Sequence, residues 1–267
     1  MRQTRPSVAT PAEKVDILGI AVDYIDRNGA VQFIARTIER FRQARAAGAP
    51  LPALAHVVTA NSEIIMLAKE QPDVAQILSQ AALVAADGIG LVWGSRLLGR
   101  PLPERIPGIE LMEEMLARSA QEGWRPFFLG AAPGVAEEAK AVMERRFPGL
   151  QVAGVHHGYF QETEVPQVLQ QIRQAQPDLL LVALGAPRQE RWIAKYKEKL
   201  AAPVAVGVGG SLDIWSGRAQ RAPQWMCDIG LEWLYRLLRQ PSRARRMLAL
   251  PRFAYAVWRE RWTRRKG

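Results

Sequence analysis

From Val15 to Val208 the chain alternates short apolar runs with longer stretches in which apolar positions recur every three or four residues. The runs Val15–Ile20, Ala55–Val58, Leu83–Ala86, Pro126–Leu129, Gln151–Val155, Leu179–Leu184 and Val204–Val208 predict strands. Helices are predicted over Ala30–Ala47, Ser62–Lys69, Ile109–Gln121, Gly134–Phe147, Pro166–Ala175 and Gln189–Leu200. Strands this uniformly apolar belong to a sheet covered on both sides. The expected fold is therefore α/β: a Rossmann-like, mostly parallel sheet with helices on both faces.

After Arg218 the pattern changes. Trp225 to Arg239 carries Met226, Ile229, Trp233, Leu234, Leu237 and Leu238 on one helical stripe, and Pro241 stops it. A second short helix is expected from Ser242. The chain then divides into a loose tail (1–13), an α/β catalytic body (14–217) and a helical C-terminal appendage (218–267).

Three predicted strands end in turns of small residues that open a helix. They are Gly130-Ala131-Ala132-Pro133-Gly134, Gly185-Ala186-Pro187-Arg188-Gln189 and Gly207-Val208-Gly209-Gly210-Ser211. Small residues let backbone N–H groups approach a ligand, and the helix N-terminus behind them favours an anion such as a diphosphate. Glycine in an ordinary tight turn explains any one of them; three on one sheet edge point to a nucleotide. The chain carries neither a GxGxxG fingerprint nor a GxxxxGK[ST] phosphate loop.

Charge alters the picture once it is located. The net charge is +10, yet residues 1–217 balance 23 Lys/Arg against 23 Asp/Glu. Residues 218–267 hold 13 Lys/Arg against Asp228, Glu232 and Glu260, and four of the eight tryptophans. Trp225, Trp233, Trp258 and Trp262 among arginines suit a lipid headgroup layer, where rings bury and charges meet phosphates. An anionic membrane surface is the preferred partner. A helix packed on the body with a solvated basic face is the second reading, and nucleic acid the third. The chain has no apolar run near 18 residues and no apolar signal-peptide core. It is therefore expected in the cytoplasm, peripheral on the inner face of the membrane. The one cysteine, Cys227, sits among apolar neighbours and reads as a buried small residue.

Among the carboxylates, Asp87 follows the run Leu83–Ala86 and precedes Gly88. Such a strand-end carboxylate stands where a doubly wound sheet puts its ligand, and burial could make it a general base. Capping a helix that starts near Gly88 is an equal alternative. Thr59 and Asn61 close an earlier strand in the same way, again with an N-cap alternative. The histidines His56, His156 and His157 lack a carboxylate at ligand spacing, and there is no Asp-x-Asp pair. No metal and no cofactor are expected.

Seven motifs stand in order. They are Thr59–Glu63, Ala86–Gly90, Leu102–Gly108, Gly185–Glu190, Gly207–Asp213, Arg221–Pro223 and Gly230–Leu238. Together they resemble the WecG/TagA/CpsF family of bacterial glycosyltransferases, from about Val15 to Phe253. The resemblance implies transfer of N-acetylmannosamine from a UDP donor to undecaprenyl-diphosphate-linked N-acetylglucosamine, β-1,4 and with inversion, as in teichoic acid linkage-unit synthesis. Some members use the uronic acid donor instead, and members work without a divalent metal. The resemblance also implies roles. Asp87 is the catalytic base, and Thr59, Asn61, Arg105 and Gln189 line the pocket. Arg236, Arg243 and Arg246 of the appendage fold over it to reach the diphosphate. Family members associate, which leaves a dimer or trimer open. Ser62 departs from the proline common at that position.

Two other classes remain at this point. A nicotinamide-dependent oxidoreductase fits the sheet and the Gly130–Gly134 turn but lacks the fingerprint. A nucleic-acid-binding module fits the basic segment but leaves the ordered motifs of the body unexplained.

Overall fold

A computed structural model describes residues 13–239 and 247–264, apart from the side chains of Asp228 and Arg236. The expected tail lies outside this range except for Glu13, which pairs with Arg100. Six strands form one sheet: β3 (Ala55–Ala60), β4 (Leu83–Ala86), β5 (Pro126–Gly130), β6 (Gly154–His156), β7 (Leu179–Ala183) and β8 (Val204–Gly207). Their order is β4-β3-β8-β7-β5-β6, and every neighbouring pair is parallel.

Alternate residues of these strands go to opposite faces. Val57, Leu83, Ala85, Phe128, Leu181 and Val206 pack on one side with the helices α1 (Arg27–Ala46), α5 (Gly108–Glu122), α6 (Val135–Arg146) and α9 (Ser211–Trp215). Their neighbours face the other way. Val58, Ala60, Val84 and Ala86 meet α2 (Ser62–Glu70), α3 (Pro72–Gln80) and α4 (Ile89–Leu97). On that same side Phe127, Leu129, Leu180, Val182 and Ala205 meet α7 (Val165–Ala175) and α8 (Arg188–Tyr196). The expected α/β architecture is present.

The apolar run Val15–Ile20 is not one strand. It is a hairpin of β1 (Lys14–Ile17) and β2 (Ile20–Asp23), turned at Leu18-Gly19 with φ of 59° and 85°. Two positive φ values in a two-residue loop match the right-handed twist of the paired strands. Asp23, 1% exposed, fixes this hairpin to the sheet by accepting from the Val84 N–H at 2.7 Å. The run Gln151–Val155 is also displaced, its strand starting only at Gly154. Gln189–Leu200 is α8 followed by a 3-10 turn over Lys197–Lys199. The stripe Trp225–Arg239 is broken in two, α10 (Gln224–Asp228) and α11 (Glu232–Arg239), because Gly230 takes φ 77° between them.

The last described helix, α12 (Ala249–Arg264), packs against α2 and α4. Phe253 and Val257 are its buried anchors and rest on Gly94. Arg252 and Arg264 pair with Glu70 and Asp16 of the body. Tyr255, Trp258 and Trp262 remain exposed, their ring centroids 6.4 and 6.1 Å apart in a row. One face of this helix packs on the body and the other leaves the aromatic row open. The start expected at Ser242 lies outside the described residues.

His56, at the opposite end of β3 from Asn61, is 5% exposed, and its Nε2 has no partner. Burial, helped by Lys197, lowers its pKa from 6.5 to about 4. The unfolded chain therefore takes up this proton before the folded one does, and stability falls as pH drops from about 6.5 to about 4. The shift corresponds to about 3 kcal/mol. Denaturant midpoints measured across that range should fall steeply for the wild type, and His56→Leu should flatten the curve.

Candidate active site

All six strands run in parallel, so the ends of β3, β4, β7 and β8 open on one edge of the sheet. A cavity of about 270 Å³ lies there. Thr59, Asn61, Asp87, Gln189 and the turns Gly185–Ala186 and Gly207–Ser211 line it. A second cavity of about 150 Å³ opens between α4, α11 and the start of α12. Asn61, Glu63, Asp87 and Glu232 line both, so the two are arms of one cleft, and Asp87 stands where they meet.

Asp87 is half-buried, and its backbone N–H donates to Ala60 O at 2.8 Å. Its Oδ1 accepts the Gly108 N–H at 3.2 Å. It does not cap the helix that follows: Gly88 is the N-cap of α4, and no side chain bonds there. It instead satisfies the first amide of α5, a helix joined to it only through the fold. Asn61 keeps its capping role, with Oδ1 accepting the Ile64 N–H at 3.1 Å, while its side chain lines the cleft. Ser62, at the first position of α2 where proline is also favoured, leaves that cap intact and packs against Gly90. Thr59 Oγ1 reaches Gly207 O at 3.5 Å.

Gln189 is held from both sides. Its Oε1 accepts the Gly209 N–H at 3.1 Å and its Nε2 donates to Glu190 Oε1 at 2.8 Å. Position 207 must be glycine for this, since a Cβ there would lie 2.3 Å from Gln189 Nε2. Glu190 was not singled out by the sequence, where it reads as an ordinary first-turn acid. The fold leaves it 3% exposed with Oε2 unpartnered. Burial, with the charge of Glu63 adding, raises its pKa above the usual carboxylate range.

Arg105 lies in the smaller arm. Its guanidinium donates to Cys227 O at 2.9 Å and pairs with Glu232 at 3.3 Å, joining the body to the C-terminal segment. Cys227 is buried, as expected, and burial raises its thiol pKa. The backbone of Arg236 lies in α11, while Arg243 and Arg246 lie outside the described residues. Of the three small-residue turns, only the two after β7 and β8 line the cleft. The turn Gly130–Gly134 follows β5, on the far side of β7, and Gly134 faces Arg218 instead.

The larger arm has an uneven charge. Among the described residues its lining carries five acids (Glu63, Asp87, Glu190, Asp213 and Glu232) and no Lys or Arg. Backbone amides at the starts of α2, α5 and α8 offset part of that charge. No group of three or more His, Cys, Asp or Glu among the described residues is placed to hold a metal ion.

Comparison with known proteins bears on this cleft. The family model described as "Glycosyl transferase WecG/TagA/CpsF family" matches residues 15–267. Three relatives bear the name N-acetylglucosaminyldiphosphoundecaprenol N-acetyl-beta-D-mannosaminyltransferase. That of Bacillus spizizenii is 43% identical over 203 residues, covering 76% of this chain and 78% of its own. That of Bacillus subtilis is 37% identical over 204 residues, covering 76% and 79%. That of Staphylococcus aureus is 35% identical over 244 residues, covering 91% and 92%.

Proposed function

We propose what this cleft does from the premise that the chain belongs to the WecG/TagA/CpsF family of glycosyltransferases. It moves N-acetylmannosamine from UDP-N-acetylmannosamine to the 4-hydroxyl of undecaprenyl-diphosphate-linked N-acetylglucosamine, as teichoic acid linkage-unit synthesis requires. The observation that carries this reading is the strand-end carboxylate of Asp87, which lines both arms of the cleft. The relatives' name supplies the sugar and the acceptor. The uronic acid of N-acetylmannosamine is the alternative donor.

In this reading the UDP-sugar occupies the larger arm. Its diphosphate lies near the backbone amides of the two small-residue turns, and Thr59, Asn61 and Gln189 orient the sugar. The acceptor enters from the smaller arm. Asp87 removes the proton from its hydroxyl as that oxygen forms a bond to the anomeric carbon. The bond from that carbon to the UDP oxygen breaks on the opposite face. One displacement inverts the centre, which is why one base is enough.

The departing UDP gains negative charge, and in an arm already lined by acids it needs cations. Arg236, Arg243 and Arg246 supply them, so no metal is required. The same segment docks on anionic lipid through Trp225, Trp233, Trp258 and Trp262. The first three are between 36% and 62% exposed when Trp225, Trp233 and Trp258 are compared, and Trp262 is 53% exposed. Among the described residues no helix is long and apolar enough to cross a membrane. In this reading the enzyme works peripherally on the cytoplasmic face, where a lipid-linked acceptor meets a UDP-sugar donor.

Ligand-dependent melting tests the donor assignment. UDP at 100 times its dissociation constant should stabilise the fold by about 2.7 kcal/mol. NAD and an oligonucleotide should leave the melting temperature unchanged. A shift with NAD and none with UDP would return the protein to the oxidoreductase class.

A further inference from the structure

The smaller arm is mixed in character. Its lining joins the polar Asn61, Asp87 and Arg105 to the apolar Ile89, Trp233 and Leu250, with Glu63 and Glu232 beside them. These apolar residues come from three elements: α4 of the body, α11 and α12. Two sets of contacts bring them together. Gly230 takes φ 77° and lies so close to Ile89 that a Cβ would sit 2.9 Å from its side chain. Phe253 and Val257 lock α12 against Gly94 of α4. Ile89 nevertheless remains 44% exposed, although it starts a helix whose Leu91 and Val92 are buried. An apolar side chain held open on the rim of a polar cleft has surface to offer a ligand.

A ligand matching this lining is polar at Asp87, apolar at Ile89, Trp233 and Leu250, and anionic at Arg105, where it would compete with Glu232. We infer that Ile89, Trp233 and Leu250 form a binding site for the first isoprene units of a polyprenyl-diphosphate acceptor. This rests on the acceptor reading above and adds to it that protein, not only bilayer, recognises the lipid. The sugar reaches Asp87, the diphosphate lies at Arg105, and the isoprenoid leaves across the three apolar residues toward the membrane. Acceptor recognition then needs no bilayer, although Trp233 would serve it and membrane docking alike.

The test is calorimetric titration, without membrane or detergent and with UDP present. N-acetylglucosamine diphosphates carrying a methyl, a five-carbon or a ten-carbon isoprenyl group are compared. Burying apolar surface on a partly open rim should tighten binding by roughly tenfold from the methyl to the five-carbon ligand. Ile89→Ser and Leu250→Ser should each compress that ratio, and circular dichroism of the variants reports whether the fold is kept. Equal affinities across the wild-type series would overturn the inference. So would a ratio that survives both substitutions in folded protein. A UDP titration of the same sample judges the donor site separately: failure there with a retained chain-length ratio sinks the donor reading and leaves the lipid site standing.

Discussion

Asp87→Asn is expected to lower kcat by about 100- to 10,000-fold while UDP still binds. The substitution keeps the size and shape of the side chain and removes its charge and basicity. The amide oxygen of Asn can still accept the Gly108 N–H that Asp87 Oδ1 now accepts at 3.2 Å, so the start of α5 keeps its partner. What is lost is the group that receives the acceptor's proton. Steady-state kinetics on both substrates should show the loss in kcat, with the KM for donor little changed. Turnover close to wild type would remove Asp87 from the mechanism and leave it as a bond between β4 and α5.

The second large effect is expected at Arg243 and Arg246. Replacing either by Ala should lower kcat by about 100- to 1000-fold, the usual cost of removing one donor to a developing oxyanion. The charge of the cleft motivates this. No Lys or Arg lines the larger arm among the described residues, so cations for a departing diphosphate must come from outside that lining. Arg105 lines the smaller arm and not the larger one, where the donor diphosphate is placed. Four arginines of the basic segment, Arg218, Arg221, Arg252 and Arg264, are paired with Glu138, Glu110, Glu70 and Asp16. Point substitution is the better test than deleting residues 218–267. Deletion would also strip Phe253 and Val257, 2% and 0% exposed, from the core. Unchanged turnover in both variants would mean that the segment does not complete the site.

Much of this fold could be read in advance because its central strands are buried on both faces. Leu179–Ala183 and Val204–Gly207 are apolar throughout, a pattern few other elements produce. The same signal misled at Val15–Ile20, where a turn hidden inside an apolar run looked like continuous strand. It also hid the extent of α4, foreseen only as a start near Gly88, because Ile89–Leu97 is apolar on most sides and interrupted by two glycines. Asp87 was legible because a carboxylate between an apolar run and a glycine marks a strand end. Glu190 was not, since it is buried only once α8 packs on the sheet against β3, β7 and β8. The turn Gly130–Gly134 reads like its two counterparts but stands beyond β7, and local sequence does not encode strand order. The Arg105–Glu232 pair spans 127 residues and has no sequence signature.

The central claim is that this protein makes a glycosidic bond to a lipid-diphosphate sugar. The most direct measurement mixes purified protein, UDP-N-acetylmannosamine and a short-chain lipid-diphosphate N-acetylglucosamine, and follows the acceptor by mass spectrometry. The account predicts a disaccharide product formed in step with UDP release, in wild type and not in Asp87→Asn. UDP release without extension of the acceptor, or no product with either the amino sugar or its uronic acid as donor, would contradict it.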